Sequence, residues 1–164
     1  MKLSLTHPIV ALLALAPAAR AGDIKQYPGA ACLESGVESG DLQRSGMRIT
    51  NYGATHKTLV CPAARDIQQV CSSGGGSIHA SVNIMDNHDA NIACTLAVRR
   101  NDGAILEYST VVGAFKTPGM RTIPVEVPFY ADDDYFTLEC ELPPNGPGGT
   151  ARIYSYAIEE NFGC

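Results

Sequence analysis

Two short acidic segments carry the residue types that bind divalent cations. The first contains Asp86, His88 and Asp89, with Asn87 among them. Calcium takes oxygen ligands from flexible loops, and carboxylates and amides supply such oxygens. The spacing is not that of the EF-hand loop, which has Gly at its sixth position and Glu at its twelfth. The segment also fits a polar turn, in which Asn and Asp side chains hydrogen-bond their own backbone and which is the commoner role of these residues.

The second acidic segment is a run of three carboxylates, Asp132, Asp133 and Asp134. Adjacent carboxylates repel one another, and a bound cation would relieve that repulsion. A short charge run is more often a solvated loop. A calcium ion shared by the two segments is favoured only if both lie at the same end of the fold.

Histidine and carboxylate residues offer the ingredients of acid–base chemistry but no recognisable catalytic pattern. His79 is close in sequence to Ser81 and Asn83, but a Ser–His–Asp triad is defined by spatial geometry. No GxSxG motif occurs. Glu139 and Glu141 share one face of a predicted strand, where charged residues are expected at exposed positions. The sequence therefore predicts no catalytic residue.

The aromatic residues suggest a possible stacking surface for a ligand. Tyr154 and Tyr156 are two positions apart, so they are predicted to share one face of the last strand. An exposed pair could stack a ligand, although an ordinary cross-strand aromatic pair is more common. The chain has no Trp, which weakens the case for a sugar-stacking platform.

The segments that must position these residues are short strands, of which Ser77–Val98 has the clearest pattern. Apolar residues alternate with polar ones on both sides of the Asp86–Asp89 segment. Alternation with a period of two predicts strands that each have one buried face. Two such runs across a short Asn/Asp-rich break predict a β-hairpin.

The rest of the chain continues as strands separated by turns. Arg121–Phe129 alternates as well, but Pro124 and Pro128 cannot donate ladder hydrogen bonds, which predicts an edge strand or a bulge. No convincing helix and no internal repeat is present. The pattern predicts an all-β fold, a single β-sandwich or jelly-roll-like domain of about eight antiparallel strands, over residues 22–164.

The first 21 residues have the pattern of a cleaved signal peptide. Lys2 is followed by a short apolar core, and Ala19-Arg20-Ala21 fits the small-x-small rule for cleavage. The apolar run is too short to span a bilayer. The sequence therefore predicts a secreted or periplasmic protein. Its net charge of −5, without a Lys/Arg run, argues against nucleic acid as a partner, and no membrane span is predicted.

Six cysteines follow the predicted cleavage site, and an even count in a secreted chain predicts disulfides. Cys94 and Cys140 both lie on apolar strand faces, which favours a buried bond between them. Cys32 with Cys61 is the next predicted pair. Cys71 and Cys164 remain, either as a pair or with Cys164 bonded to another chain.

Several motifs resemble those of a group of short secreted, cysteine-containing bacterial proteins of unknown function. The quoted motifs are Tyr27-Pro28-Gly29…Cys32, Cys61-Pro62, Asp86-x-His88…Cys94-Thr95-Leu96, Tyr135-x-x-Leu138-x-Cys140-x-Leu142-Pro143-Pro144, and Ile153-x-Ser155-Tyr156 with Glu159. The resemblance implies that Cys32, Cys61, Cys94 and Cys140 recur in the group. It makes Cys71 and Cys164 additional, which supports their pairing, and it brings no activity or site residues.

These observations predict a secreted, non-catalytic β-sandwich that binds an unknown protein or glycan ligand or serves as a structural surface protein. The alternative is a small extracellular hydrolase or a calcium-dependent carbohydrate-binding domain. Calcium is the one cofactor considered, through the candidate ligands Asp86, His88, Asp89, Asp132, Asp133 and Asp134.

Overall fold

Strands make up most of the chain in the structure, which is a computed structural model. It describes residues 23–63, 76–86, 90–113, 119–129 and 135–162. These residues form two antiparallel sheets that pack as a sandwich, with one short 3-10 helix at Gly29–Ala31. The predicted all-β sandwich is confirmed. The described residues contain eleven strands where the sequence predicts about eight.

The first sheet has six strands, with the order β3-β4-β11-β6-β9 and β1 paired to β11. Its strands are β1 (Asp23–Pro28), β3 (Leu42–Ser45), β4 (Arg48–Asn51), β6 (Gly76–Asp86), β9 (Gly119–Phe129) and β11 (Arg152–Phe162). β9 lies at the sheet edge, which confirms the prediction from its prolines. Pro124 and Pro128 lie opposite Ser81 and Ser77 of β6.

The second sheet has five strands in the order β2-β5-β10-β7-β8. Its strands are β2 (Leu33–Glu34), β5 (Lys57–Cys61), β7 (Ile92–Arg99), β8 (Ile105–Gly113) and β10 (Tyr135–Leu142). The inner faces of the two sheets bury their apolar side chains against each other, among them Val82 and Ile158 of the first sheet and Leu96 and Leu138 of the second.

The predicted hairpin over Ser77–Val98 is wrong, because its two strands belong to different sheets. β6 lies in the six-stranded sheet and β7 in the five-stranded sheet, so the chain crosses the sandwich between Asp86 and Ile92. Each strand does have one buried face, as its alternation predicts. A period of two fixes which side chains point inward but does not decide which strands are neighbours.

A second difference concerns the segment around Gly46. The sequence suggests one strand near Asp41–Thr50, whereas the structure has β3 and β4 joined by a turn. Gly46 has a φ of +61°, in the left-handed region that glycine enters at little cost. The turn leaves Met47 exposed rather than in the core.

Two of the predicted disulfides are confirmed, Cys94–Cys140 and Cys32–Cys61. All four cysteines are buried. Cys94 lies directly opposite Cys140, so this bond joins neighbouring strands β7 and β10 within one sheet. Cys71, Cys164 and the predicted signal peptide lie outside the described residues, and these predictions stand untested.

Candidate functional site

The predicted calcium ligands fall mostly outside the described residues. Asp86 ends β6, whereas His88, Asp89 and Asp132–Asp134 are not described. The first segment follows the end of β6 at Asp86, which pairs with Gly119 at the start of β9. The second segment follows the end of β9 at Phe129, which pairs with Gly76 at the start of β6. The two segments therefore follow opposite ends of the same strand pair. Eleven residues of β6 separate these ends, a length of roughly 35 Å at about 3.3 Å per residue. This arrangement does not favour a shared ion. Among the residues that are described, no cluster of three or more His, Cys, Asp or Glu side chains could hold a metal.

His79 lies on the outer face of the six-stranded sheet beside a serine and a glutamate. Its Nε2 is 2.9 Å from Ser77 Oγ and 3.2 Å from Glu126 Oε1. In a Ser–His–acid triad the serine and the acid contact opposite nitrogens of the imidazole. Here both contact Nε2, so the cluster lacks the geometry that would activate the serine.

Glu139 and Glu141 each lie beside a basic side chain. Glu139 Oε1 accepts a hydrogen bond from Arg99 Nη2 at 3.0 Å. Glu141 Oε1 lies 3.1 Å from His56 Nδ1. Both glutamates lie on the outer face of the five-stranded sheet, as their spacing predicts. They act as surface hydrogen-bonding groups of a strand.

The predicted shared face of Tyr154 and Tyr156 is wrong. A register irregularity between Ile153 and Ser155 places both Ile153 and Tyr156 in the core. The Tyr156 hydroxyl donates a hydrogen bond to the carbonyl of Pro62. Its ring stacks on Tyr27 with centroids 5.0 Å apart, and burial raises the pKa of the Tyr156 hydroxyl. Tyr156 is therefore a structural residue.

Two other tyrosines are exposed on the outer face of the five-stranded sheet. Tyr108 is 67% exposed and Tyr135 is 38% exposed. Tyr108 of β8 lies opposite Ala97 of β7, whereas Tyr135 of β10 lies opposite Arg99. The two positions are two strands apart and differ by two residues along the strand, a separation of about 12 Å from standard sheet spacings. That distance suits a ligand of two or three linked rings.

Hydrogen-bonding groups lie between and beside the two rings. Arg99 donates to Thr137 Oγ1 and to Glu139 Oε1, which holds the guanidinium over the neighbouring strand β10. Two residues along β7 from Ala97, Thr95 lies opposite Thr110 of β8, and their Oγ1 atoms are 2.8 Å apart. We call this surface the tyrosine face; it consists of Thr95, Ala97, Arg99, Tyr108, Thr110, Tyr135, Thr137 and Glu139.

Sequence patterns indicate the tyrosine face only weakly. The polar and apolar residues of β8 show no clear phase, so the direction of Tyr108 could not be read from it. Tyr135 alternates with the buried Phe136, which does predict an outward side chain. What brings the two tyrosines onto one surface is the placement of β7 between β8 and β10, and that follows from long-range pairing.

A charged network on another part of the surface has a structural role. Lys57 Nζ lies 2.9 Å from Asp41 Oδ2, 3.2 Å from Glu34 Oε1 and 2.7 Å from Ser39 Oγ. Lys57 lowers the pKa of Asp41, and the hydrogen bond from the backbone of Ser39 lowers that of Glu34. A cavity of about 40 Å³ lies beside this network. It is far smaller than the roughly 300–1,000 Å³ of a typical small-molecule pocket, so it is too small for an organic ligand.

The described part of the chain contains no helix long and apolar enough to cross a membrane. No protein-family model matches the chain, and no curated protein matches it at a significant level.

Solved structures with a similar fold include several carbohydrate-binding modules. One is the C-terminal CBM6 of LamC, a marine laminarinase from Zobellia galactanivorans, with 13% identity, 84% of this chain and 99% of that chain covered, and a TM-score of 0.51. Another is the CBM22-1 xylan-binding domain of Paenibacillus barcinonensis Xyn10C. It has 13% identity and a TM-score of 0.40, and the match covers 90% of this chain and 100% of that domain. A third is the CBM36-1 domain of a multidomain xylanase from the hindgut metagenome of Trinervitermes trinervoides. It has 14% identity and a TM-score of 0.40, and the match covers 87% of this chain and 100% of that domain. The first similarity establishes a shared β-sandwich fold, and the other two are too distant to add an argument.

Proposed function

We propose that this protein is a secreted, non-catalytic glycan-binding module and that the tyrosine face is its binding surface. The observation that carries the proposal is the exposure of Tyr108 and Tyr135 on one sheet face, on either side of Arg99. Aromatic rings stack on the apolar C–H faces of sugars, and their hydrophobic area supplies most of the contact energy. Tyr also gives a large contact surface at a small cost in side-chain entropy.

The polar residues of the tyrosine face complement the hydroxyl groups of a sugar. Arg99 is a donor, Glu139 is an acceptor, and the hydroxyls of Thr95 and Thr110 can be either. Because Arg99 is already hydrogen-bonded to Thr137 and Glu139, it is held in place before a ligand arrives. Preorganised groups lose little entropy on binding, which favours affinity.

The fold and the disulfides support the proposal in general terms. The similar structure from Zobellia galactanivorans is described as a carbohydrate-binding module, and a β-sandwich can present a flat sheet face to a polymer. Fold alone does not define function, so the proposed glycan binding depends on the tyrosine face.

Disulfides form in oxidising compartments, which agrees with the predicted export. We also propose membership of the group of short secreted bacterial proteins, because the confirmed disulfides join the four cysteines that resemble those of the group.

The proposal is tested by measuring affinity for soluble neutral polysaccharides, such as β-glucans and xylans, by affinity electrophoresis and calorimetry. We expect Tyr108→Ala and Tyr135→Ala each to weaken binding at least tenfold, about 1.4 kcal/mol. Tyr52→Ala is the matched control, since Tyr52 is 48% exposed and lies in the turn after β4, away from the face. Equal affinity of all three variants, or no binding to any polysaccharide, would overturn the proposal.

A further inference from the structure

Two arginines converge on Tyr154 at one end of the outer face of the six-stranded sheet. Arg48 belongs to β4 and Arg152 to β11, two strands that pair with Ile153 opposite Ile49, so by register both arginines lie beside Tyr154. Together they lower the pKa of the Tyr154 hydroxyl. The bulge that sends Tyr156 into the core also turns Tyr154 outward, toward these arginines. Tyr154 Oη and Arg152 Nη1 lie 3.8 and 3.9 Å from Met85 Sδ. A phenol oxygen, two guanidiniums and a thioether thus form a small polar cluster on one rigid sheet.

The two positive charges of this cluster have no ionic partner among the described residues. Neither Arg48 nor Arg152 forms an ion pair there, whereas Arg44 and Arg99 each pair with a glutamate. Among the described side chains of this face, the carboxylates nearest in strand register are Glu126 and Glu159, which both lie opposite His79, six residues along β6 from Met85. Six residues of strand span roughly 20 Å, more than twice the Debye length at physiological salt, so these carboxylates do not neutralise the arginines.

We propose that Arg48, Arg152 and Tyr154 form a binding site for an oxyanion, the carboxylate or sulfate group of an acidic saccharide. The planar guanidinium presents paired donors that match the two oxygens of such a group. A bound anion would relieve the repulsion between the two arginines, and the single proton of the Tyr154 hydroxyl, which is directed at Met85 Sδ, can turn to the anion instead. Met85 and the exposed Met120, which pair across β6 and β9, supply an apolar wall for a sugar ring.

This site is separate from the tyrosine face, because the two lie on the outer faces of opposite sheets. Packed sheets are about 10 Å apart, and the outer side chains add to that distance. One short oligosaccharide therefore cannot occupy both sites. The oxyanion site stands or fails independently of the proposed function, and the two give distinguishable results in binding experiments.

The test is a titration of the intact protein with three short oligosaccharides: a uronate, a sulfated sugar and a neutral sugar of the same length. Binding is followed by NMR at the arginine Nε–H groups and by calorimetry. We expect saturable binding of at least one acidic sugar, with Arg48 and Arg152 resonances shifted, and no shift of these resonances with the neutral sugar. Whichever acidic sugar binds identifies carboxylate or sulfate as the recognised group.

The variants Arg48→Gln and Arg152→Gln are expected to weaken acidic-sugar binding at least tenfold. Arg152→Lys keeps the charge but loses the paired donors, so we expect an intermediate loss. Arg100→Gln is the control, because it removes one exposed positive charge in the turn between β7 and β8. Tyr108→Ala should leave this binding unchanged even if it abolishes neutral-glycan binding. Equal losses in the Arg152 and Arg100 variants, or no saturable binding of either acidic sugar, would overturn the proposal.

Discussion

The two sheets of the sandwich use their tyrosines and their cysteines differently. In the six-stranded sheet, Tyr156 is buried and stacks on Tyr27, while the outer face is lined mainly by polar side chains. In the five-stranded sheet, Tyr108 and Tyr135 project from the outer face, and both described disulfides lie within or beside its strands.

Strand length gives a physical reason for this difference. β6, β9 and β11 have eleven residues each, whereas the longest strands of the five-stranded sheet have eight or nine. Longer strands form more ladder hydrogen bonds and bury more apolar surface, so the described part of the six-stranded sheet is held by non-covalent contacts. The five-stranded sheet has shorter strands and covalent cross-links. Its outer face can therefore present apolar rings to a ligand without relying on them for stability.

The largest expected effect comes from removing the disulfide between β7 and β10. The bond joins cysteines 46 residues apart, and the chain-entropy model gives a loss of about 4 kcal/mol for Cys94→Ala with Cys140→Ala. Chemical denaturation measures this change. Hydrogen exchange should show lost protection mainly in β7 and β10. Equal loss of protection in β6 and β9 would show that the two sheets are not stabilised separately.

A smaller effect is expected from truncating the buried tyrosine. Tyr156→Ala removes a fully buried ring and its hydrogen bond to Pro62, which should lower the free energy of unfolding by about 3 kcal/mol. Tyr108→Ala is the matched substitution in the other sheet, and because its ring is exposed the change should stay within about 0.5 kcal/mol. Denaturation midpoints compare the two. Similar losses would contradict the assignment of Tyr108 to binding rather than to packing.

The smallest effect concerns the ionisation of Tyr154. Hydrogen bonds and positive charge from Arg152, and then from Arg48, hold the pKa of Tyr154 below its ordinary value. Because these cations stabilise the tyrosinate relative to the phenol, the stabilising contribution of Tyr154 is present at alkaline pH and is lost as the pH falls through the folded-state pKa. Arg152→Gln should therefore raise the pKa of Tyr154. Ultraviolet titration measures the pKa of Tyr154, and the Tyr154→Phe variant assigns the transition to this residue. An unchanged or lowered pKa in Arg152→Gln would contradict the interaction between Arg152 and Tyr154.

Much of the fold could be predicted because it depends on local pattern and covalent chemistry. Alternation identified the buried faces of β6, β7 and β10, and the prolines identified β9 as an edge strand. The position of Cys94 and Cys140 on apolar faces predicted their bond. The site was harder to predict. The sequence pointed to Tyr154 and Tyr156, whereas the exposed tyrosines that share one sheet face are Tyr108 and Tyr135.

The sequence by itself determined the all-β class, the inward residues of the alternating strands and the Cys94–Cys140 bond, since these follow from side-chain alternation and from cysteines on apolar faces. Only the tertiary structure decided which strands are neighbours. It placed β6 and β7 in different sheets, although their sequence resembles a hairpin. It also introduced the bulge that separates Tyr154 from Tyr156. Both outcomes depend on contacts between residues far apart in the chain, and a pattern with a period of two contains no information about such contacts.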